Sequence, residues 1–425
     1  MAITTSITRT TTIPSIAARQ YTPSTRWIVS MMSYVTTVGL EEYVSKRAAH
    51  NSLERGTDTP KCHPETRQAI QENILSHIRD GKEKVLWLLG PVGAGKTAIM
   101  GSITEECYAR RWLTGSFFIS AATMKVDRCS KRYLIPTLAF HLLELNIPHL
   151  PAAILAAVAA NPSTVDASKW PKVVLVNGVD ECAADENWEY RTKHEHQELK
   201  EANYREVLSS LVKLTNDPSF PFRIIIASRP EHAIQGYFSS LPSDASTQVF
   251  LDDMYSPEDD VALYAQAMLT KIGRDYGLRG EWYNRIGPGK DDPCYLAQQS
   301  SGQFIYIATI IRYIQDQSGA PHKQLEHVLN CRPRNRSNPF TALDALYLGI
   351  LKTSPDPELS AKWLHCIDGN TNLVNFAPAS RALLQKPWYK RCILESCPGE
   401  TEYLLGPLVS LIPSAVASII LQNVM

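Results

Sequence analysis

The hydrophobic pattern divides the chain into a first half of alternating strand-like and helix-like segments and a second half of helix-like segments alone. Short apolar runs predict strands at Val85–Leu89, Ser116–Ser120, Val173–Val176 and Ile224–Ala227, with a weaker fifth at Gln248–Leu251. Helical periodicity separates these runs, at Gln68–Arg79, Ala98–Arg110, Ile135–Leu145 and Tyr204–Leu214. Apolar strands that alternate with helices are typical of a parallel sheet. The pattern therefore predicts an α/β fold, with a parallel sheet core and helices on both of its faces.

Strand-like runs stop after about Asp252. The segments Pro257–Ile272, Cys294–Asp316 and Thr341–Leu351 carry helical periodicity instead. We therefore expect the second half of the chain to be mostly α-helical.

Both ends of the chain differ from the rest. The first 44 residues are rich in Ser and Thr and contain no acidic residue before Glu41, which favours a disordered extension. A mitochondrial transit peptide shares this composition, but Pro14 and Pro23 would interrupt its amphipathic helix. The segment Tyr403–Met425 is uncharged and long enough to span a bilayer. Its prolines, among them Pro413, favour a core segment over a membrane span.

Composition narrows the classes of function. A length of 425 residues predicts two or three domains. The 43 Lys and Arg residues balance the 43 Asp and Glu residues, which argues against a nucleic-acid partner, because such binding relies on a basic surplus. The nine cysteines form no CxxC pair, so we expect reduced thiols and a cytoplasmic protein, with a mitochondrial location as the alternative.

One glycine-rich loop carries a specific chemical signal. The residues Gly90, Pro91, Val92, Gly93, Ala94, Gly95, Lys96 and Thr97 match GxxxxGK[ST], the phosphate-binding loop of NTPases. Glycines let backbone N–H groups approach phosphate oxygens, and the helix that follows favours an anion at its N-terminus. Lys96 would bind the β- and γ-phosphates and Thr97 would ligate Mg²⁺. The expected cofactors are therefore a nucleotide and Mg²⁺.

Polar residues follow two later strands, where ligands bind in open α/β sheets. After Val173–Val176 the chain reads Asn177-Gly178-Val179-Asp180-Glu181. Spacing alone assigns the Mg²⁺-facing position to Asn177, and the position that orients water or acts as a base to Asp180 or Glu181. Arg229, after the strand Ile224–Ala227, is suited to sense the γ-phosphate.

The order of these motifs resembles a known family. The chain contains LLGPVGAGKTAI, SFFIS, IPTLAFHLL, VNGVDEC, DPSFPFRIIIASRPE, SSGQFIYIATIIRYI and LDALYLGIL, in that order. The series is similar to the NACHT domain of STAND signalling ATPases, particularly the fungal group with a nephrocystin-like NTPase module. The resemblance implies an ATP/ADP switch, closed by its lids in the ADP form and open to oligomerise with ATP. It implies that Gly90–Thr97 is the Walker A segment, Asn177–Glu181 the Walker B segment and Arg229 the sensor arginine.

The resemblance also implies a division of the chain. We expect an N-terminal extension at 1–44, a NACHT P-loop NTPase core at 45–252, a helical lid at 253–340 and a partial or diverged winged-helix-like region at 341–425. Protein partners or self-association would use the helical half. Asn177 departs from the family pattern, which has an aspartate for magnesium at this position, so hydrolysis is expected to be slow or impaired.

Two other functions stay open. The first is a non-hydrolysing scaffold that nucleotide stabilises. The second is a GTPase or a small-molecule kinase. For a GTPase, Thr192-Lys193-His194-Glu195 matches the guanine-reading [NT]KxD motif only in part and does not follow a strand.

Overall fold

The computed structural model describes residues 43–50, 52, 60–120, 126–144, 172–182, 193–216, 220–251, 257–286, 291–315, 319–331, 341–369 and 395–411. Nearly all of the Ser/Thr-rich extension, with its transit-peptide alternative, lies outside these residues. So do Thr192 of the partial guanine motif and the last part of the uncharged C-terminal segment.

Five parallel strands form one sheet in the order β2-β3-β4-β1-β5. The strands are β1 (Val85–Leu89), β2 (Leu113–Phe118), β3 (Val173–Asn177), β4 (Arg223–Ser228) and β5 (Ser246–Phe250). In β1, which lies between β4 and β5, Leu88 pairs with Ala227 and Val249. Strands buried on both faces need apolar residues at successive positions, and β1, β3 and β4 are buried along nearly their whole length. This confirms the predicted α/β fold.

Helices cover both faces of the sheet. They are α1 (Gln68–Asp80), α2 (Lys96–Ala109), α3 (Val126–Cys129), α4 (Leu134–Glu144), α5 (Lys193–Thr215) and α6 (His232–Ser239), with 3₁₀ turns at Lys131–Tyr133 and Val179–Glu181. Alternate residues of each strand point to opposite faces. Val85, Trp87 and Leu89 therefore join one apolar cluster with α4, α5 and α6, whereas Leu86 and Leu88 join another with α1 and α2. Trp87 stacks on Phe238 with ring centres 4.3 Å apart.

Strand β2 begins earlier than the hydrophobic pattern predicts. The apolar run starts at Ser116, but the strand starts at Leu113 and its residues Thr114 and Ser116 are buried. A buried hydroxyl needs a hydrogen-bond partner, and the backbone N–H of His50 donates to the Ser116 hydroxyl at 3.1 Å. The predicted boundary was wrong because Thr114 and Gly115 are not apolar, whereas backbone pairing with β3 extends the strand back to Leu113.

The described residues after β5 are helical, as predicted. This helical half, residues 257–411, contains α7 (Pro257–Asp275), α8 (Glu281–Ile286), α9 (Asp291–Ser300), α10 (Phe304–Gln315), α11 (Pro321–Asn330), α12 (Thr341–Leu351), α13 (Pro357–Gly369), α14 (Glu400–Leu405) and a 3₁₀ turn at Gly406–Leu411. One apolar cluster runs through it from Val261 to Leu408. Across the residues described, no helix has the length and apolarity that crossing a membrane requires.

The segment Cys294–Asp316, for which helical periodicity was predicted, is divided between two helices. Ser301 and Gly302 have φ angles of 48° and 75°, in the left-handed region that ends a helix. Helix α9 therefore stops at Ser300, and α10 starts afresh at Phe304. The break directs the first turn of α10 toward the glycine loop.

Candidate functional site

The glycine loop connects β1 to α2 at the carboxyl edge of the sheet. Gly93 and Gly95 have φ angles of 78° and 90°, a conformation that glycine adopts at little cost. Helix α2 then begins at Lys96. The first backbone N–H groups of a helix have no partner within it, and Lys96, Thr97 and Ala98 line a cavity. The loop can therefore present N–H groups and a helix N-terminus to an anion.

The Lys96 ammonium lies across this loop. Its Nζ donates hydrogen bonds to the carbonyl oxygens of Gly90 and Pro91, at 2.7 and 2.8 Å. Burial lowers the pKa of Lys96 to about 8, although the carboxylates of Asp180 and Glu181 partly oppose that shift. Both acceptors are neutral, so the charge of Lys96 is available to an anion.

The turn after β3 brings polar groups to the same edge. Asn177 is buried, and its Nδ2 lies 3.4 Å from the Thr97 Oγ1. Gly178 follows with a φ of 83°, and a Cβ there would lie 2.8 Å from the Ile119 carbonyl oxygen. Only glycine suits this position, and Gly178 begins the 3₁₀ turn that carries Asp180 and Glu181.

Asp180 is bound to Arg229. The Arg229 backbone N–H donates to the Asp180 Oδ1 at 3.0 Å, and the Arg229 Nε lies 3.2 Å from the Asp180 Oδ2. The Asp180 side chain is 4% exposed and that of Arg229 42%. The hydroxyl of Tyr204 also donates to the Asp180 backbone oxygen, at 2.5 Å. The Asp180 carboxylate therefore holds the arginine, and Glu181 is the other carboxylate that lines the cavity.

These groups surround one cavity of about 410 Å³, the site cavity. Of the residues singled out from the sequence, Val92, Gly93, Gly95, Lys96, Thr97, Asn177, Asp180, Glu181 and Arg229 line it. Gly90 and Pro91 contribute the carbonyls that bind Lys96, as noted above. Ala94 is the remaining residue of the glycine loop, and its carbonyl oxygen accepts a hydrogen bond from the Arg67 Nη2 at 3.1 Å.

Arg67 is a site residue that sequence reasoning missed. Its side chain is 3% exposed, and the guanidinium carbon lies 5.1 Å from the centre of the Phe304 ring. Its backbone N–H donates to the Asp260 Oδ2 at 3.1 Å, and its Nε lies 3.8 Å from the same oxygen. In the sequence Arg67 is a polar residue just before α1. No local pattern indicates that the glycine loop, α7 and α10 enclose it.

The helical half forms one wall of the site cavity. Tyr264, Phe304, Ile305 and Ala308 line it, and the rings of Tyr264 and Phe304 have centres 5.9 Å apart. A Cβ on Gly93 would lie 2.4 Å from the Ile305 Cγ2, so α10 packs directly on the glycine loop. The sequence predicted Phe304–Gln315 as a helix but not as part of the site, because hydrophobic periodicity does not indicate what a helix packs against.

The residues at the expected metal position are a poor match for Mg²⁺. Thr97 offers a hydroxyl and Asn177 an amide, both neutral, and Asp180 is engaged by Arg229. Within the part of the chain that the structure describes, no group of three or more His, Cys, Asp or Glu residues could hold a metal ion. Protein-bound Mg²⁺ is usually held by one or two carboxylates together with phosphates. Among the described residues that line the site cavity, Glu181 is the one carboxylate outside the ion pair with Arg229, so the protein offers Mg²⁺ at most one carboxylate there.

Comparison with known families matches one part of the chain. Residues 66–229 match the family model described as Nephrocystin 3, N-terminal. The chain contains a nephrocystin-like domain. No curated protein matches the chain.

The nephrocystin-like domain contains most of the site. It includes Arg67 near its start and Arg229 at its end. Asp260, Tyr264 and Phe304 lie beyond it, in the helical half. The site cavity is therefore shared between the nephrocystin-like domain and the helices that follow it.

Proposed function

We propose that the protein is an ATP/ADP-binding switch of the NACHT type that hydrolyses ATP slowly. The glycine loop carries the proposal, because its left-handed glycines, the start of α2 and Lys96 all face one cavity. The charges around that cavity support a polyanionic ligand. Three cationic side chains, those of Arg67, Lys96 and Arg229, line it beside the two carboxylates of Asp180 and Glu181. A fourth cation, Lys61, pairs instead with Glu105 at the surface.

Each group then has a role with phosphate. The N–H groups at the start of α2 bind the phosphate chain, and Lys96 exchanges its bonds to loop carbonyls for stronger bonds to phosphate oxygens. Arg229 is the element that responds to the third phosphate. Its guanidinium is partly exposed and lies 3.2 Å from Asp180, so a γ-phosphate competes with Asp180 for it. Glu181 orients the attacking water.

The helical half would close over the nucleotide. Tyr264 and Phe304 offer aromatic faces, and Ile305 an apolar surface, against which a planar base can pack. The preference for adenine rests on the resemblance to NACHT ATPases. Because α10 packs on the glycine loop, a change at the phosphates is transmitted to the helical half, through which partners or a second copy would bind.

Calorimetry on the nucleotide-free full chain tests the proposal. We expect ADP and ATP to bind with one site per chain and GTP to bind at least about tenfold more weakly, a difference of about 1.4 kcal/mol. Failure to bind either adenine nucleotide contradicts the switch. Selective binding of GTP, or phosphoryl transfer to a small acceptor, would instead support a GTPase or a kinase.

One observation favours a second candidate, a non-hydrolysing scaffold stabilised by nucleotide. Asn177 is neutral, and the Asp180 carboxylate is held by Arg229, so few groups remain to activate water. Phosphate release from ATP, measured against the Lys96→Ala variant as background, distinguishes the two. A rate above that background supports the switch, and a rate equal to it supports the scaffold.

Nucleotide affinity should depend on pH through Lys96. Burial lowers its pKa to about 8, and bound phosphate raises that pKa by stabilising the ammonium form. A group whose pKa rises on binding favours binding below its free pKa, and that contribution is lost as the pH rises toward the pKa of the complex. We expect the affinity for ADP to fall by up to about tenfold per pH unit above about pH 8.

Calorimetric titrations of ADP between about pH 7 and about pH 9.5 measure this effect. Lys96→Arg is the control, because a guanidinium stays protonated throughout that range. An equal fall in both proteins would assign the pH dependence to another group.

A further inference from the structure

A second pocket adjoins the site cavity on the side of the expected metal position. This side pocket has a volume of about 200 Å³ and shares Pro60, Thr97, Asn177 and Glu181 with the site cavity. Its other walls come from the end of β2 and from α3, and they include Ser120 and Arg128. The side pocket therefore brings one further cation to the hydroxyl of Thr97 and the amide of Asn177.

Arg128 is held at this wall by its backbone. Its carbonyl oxygen accepts from the Ser120 N–H at 3.0 Å, which fixes the first turn of α3 against the end of β2. In the guanidinium, Nη2 lies 3.5 Å from the Phe118 carbonyl oxygen, at the long limit for a hydrogen bond. The buried Nε has no hydrogen-bond partner among the described residues. The guanidinium can therefore form additional hydrogen bonds.

No carboxylate in the described part of the chain forms an ion pair with Arg128. The neighbouring Asp127 accepts instead from the Ser45 hydroxyl at 3.0 Å and lies 3.5 Å from the Arg47 Nη1. Burial lowers the pKa of Arg128, and the carboxylates of Asp127 and Glu181 partly oppose that shift. An arginine nevertheless stays charged at neutral pH.

The charges on the two sides of the side pocket are complementary to a phosphate group rather than to a metal ion. A cation site needs a surplus of anionic ligands, but Thr97 and Asn177 are neutral, and the positive charge of Arg128 offsets the carboxylate of Glu181 in the same pocket. A phosphate oxygen in the side pocket would meet the Thr97 hydroxyl and the Arg128 guanidinium. Guanidinium groups suit phosphate because their planar N–H donors match its oxygens.

We propose that Arg128 is a phosphate-binding residue that supplies the positive charge for which a P-loop site otherwise uses Mg²⁺, so that nucleotide binds without a divalent cation. The proposal rests on the nucleotide binding proposed above. Asn177 is neutral at a position where an aspartate would add a negative charge for Mg²⁺. Arg128 adds a positive charge that can bind phosphate.

Titration of the nucleotide-free full chain with ADP, in Mg²⁺ and in EDTA, tests the proposal. We expect dissociation constants within about threefold of each other in the two media. Arg128→Gln should weaken binding in EDTA by about tenfold, the effect of one charge-assisted hydrogen bond, and should restore a dependence on Mg²⁺. Arg132→Gln is the matched control, because Arg132 is exposed in the next turn. Arg128→Lys, which keeps the charge, should retain part of the metal-free affinity.

The outcomes are distinguishable. Binding of ADP to the unaltered protein that weakens by more than about tenfold in EDTA overturns the proposal. So does an Arg128→Gln variant with unchanged affinity in EDTA. An Arg128→Gln variant that unfolds at a lower denaturant concentration than Arg132→Gln assigns its loss of affinity to the fold and also overturns the proposal. Absence of binding in both media overturns the proposed function itself, and the role of Arg128 with it.

Discussion

Replacing Lys96 by alanine should abolish nucleotide binding, with an affinity for ADP and ATP at least about 100-fold lower. Lys96 is the cation at the start of α2, and its ammonium bonds the loop carbonyls of Gly90 and Pro91. Two charge-assisted hydrogen bonds to phosphate, each worth about 1.5–3 kcal/mol, account for a loss of this size. Calorimetric titration of the variant with ADP measures it.

Lys61→Ala is the matched control for Lys96→Ala. Lys61 lines the same cavity, but its side chain is 48% exposed and pairs with Glu105 at 2.6 Å. Surface ion pairs contribute little, so we expect the affinity of Lys61→Ala to change by less than about threefold. Normal affinity in Lys96→Ala, or equal losses in both variants, would contradict the assignment of the phosphate site.

Replacing Arg67 by alanine should lower the free energy of unfolding by about 3 kcal/mol, because removal of one partner from a buried ion pair leaves the other unbalanced. Arg67 joins three separate segments. Its Nη2 donates to Ala94 in the glycine loop, its Nε lies 3.8 Å from Asp260 in α7 and its guanidinium covers the ring of Phe304 in α10. Loss of the side chain removes these contacts together. Denaturant unfolding followed by circular dichroism measures the change.

Arg79→Ala is the control for Arg67→Ala. Arg79 lies near the other end of α1, and its ion pair with Asp80 is exposed on both sides. We expect the free energy of unfolding of Arg79→Ala to stay close to that of the unaltered protein, because substitutions of exposed residues change it little. Asp260→Asn, which removes the charge and keeps the shape, should reproduce part of the Arg67→Ala effect. A shift in Arg67→Ala no larger than in Arg79→Ala would mean that this contact does not hold the two halves together.

The Arg67 contacts also bear on how a switch would work. They connect the glycine loop with α7 and α10, so any movement of the loop on binding phosphate displaces a residue that the helical half holds. Gly93 strengthens this coupling, because its missing side chain is what lets Ile305 approach the loop. The proposed nucleotide response thus has a physical route into the helices.

Most of the sheet could be predicted because the residue types in its strands show that the strands are buried on both faces. The runs in β1, β3 and β4 are apolar at successive positions, as burial on both faces requires. The boundary of β2 and the break before α10 could not be predicted in this way. Pairing with β3 carries β2 back through Thr114 and Gly115, which are not apolar. Ser301 adopts a left-handed conformation that no hydrophobic pattern indicates.

The sequence by itself determined the loop Gly90–Thr97, the polar turn after β3 and the position of Arg229, because each follows a strand whose apolar run is local. Only the tertiary structure decided which other groups meet them. The strand order places β4 between β3 and β1, and the pairing of β3 with β4 brings Asp180, after β3, to Arg229, after β4. Packing of the helical half adds Phe304, and the fold adds Arg67 and Arg128. These contacts join residues far apart in the chain, and their energies depend on burial and distance, which no local pattern records.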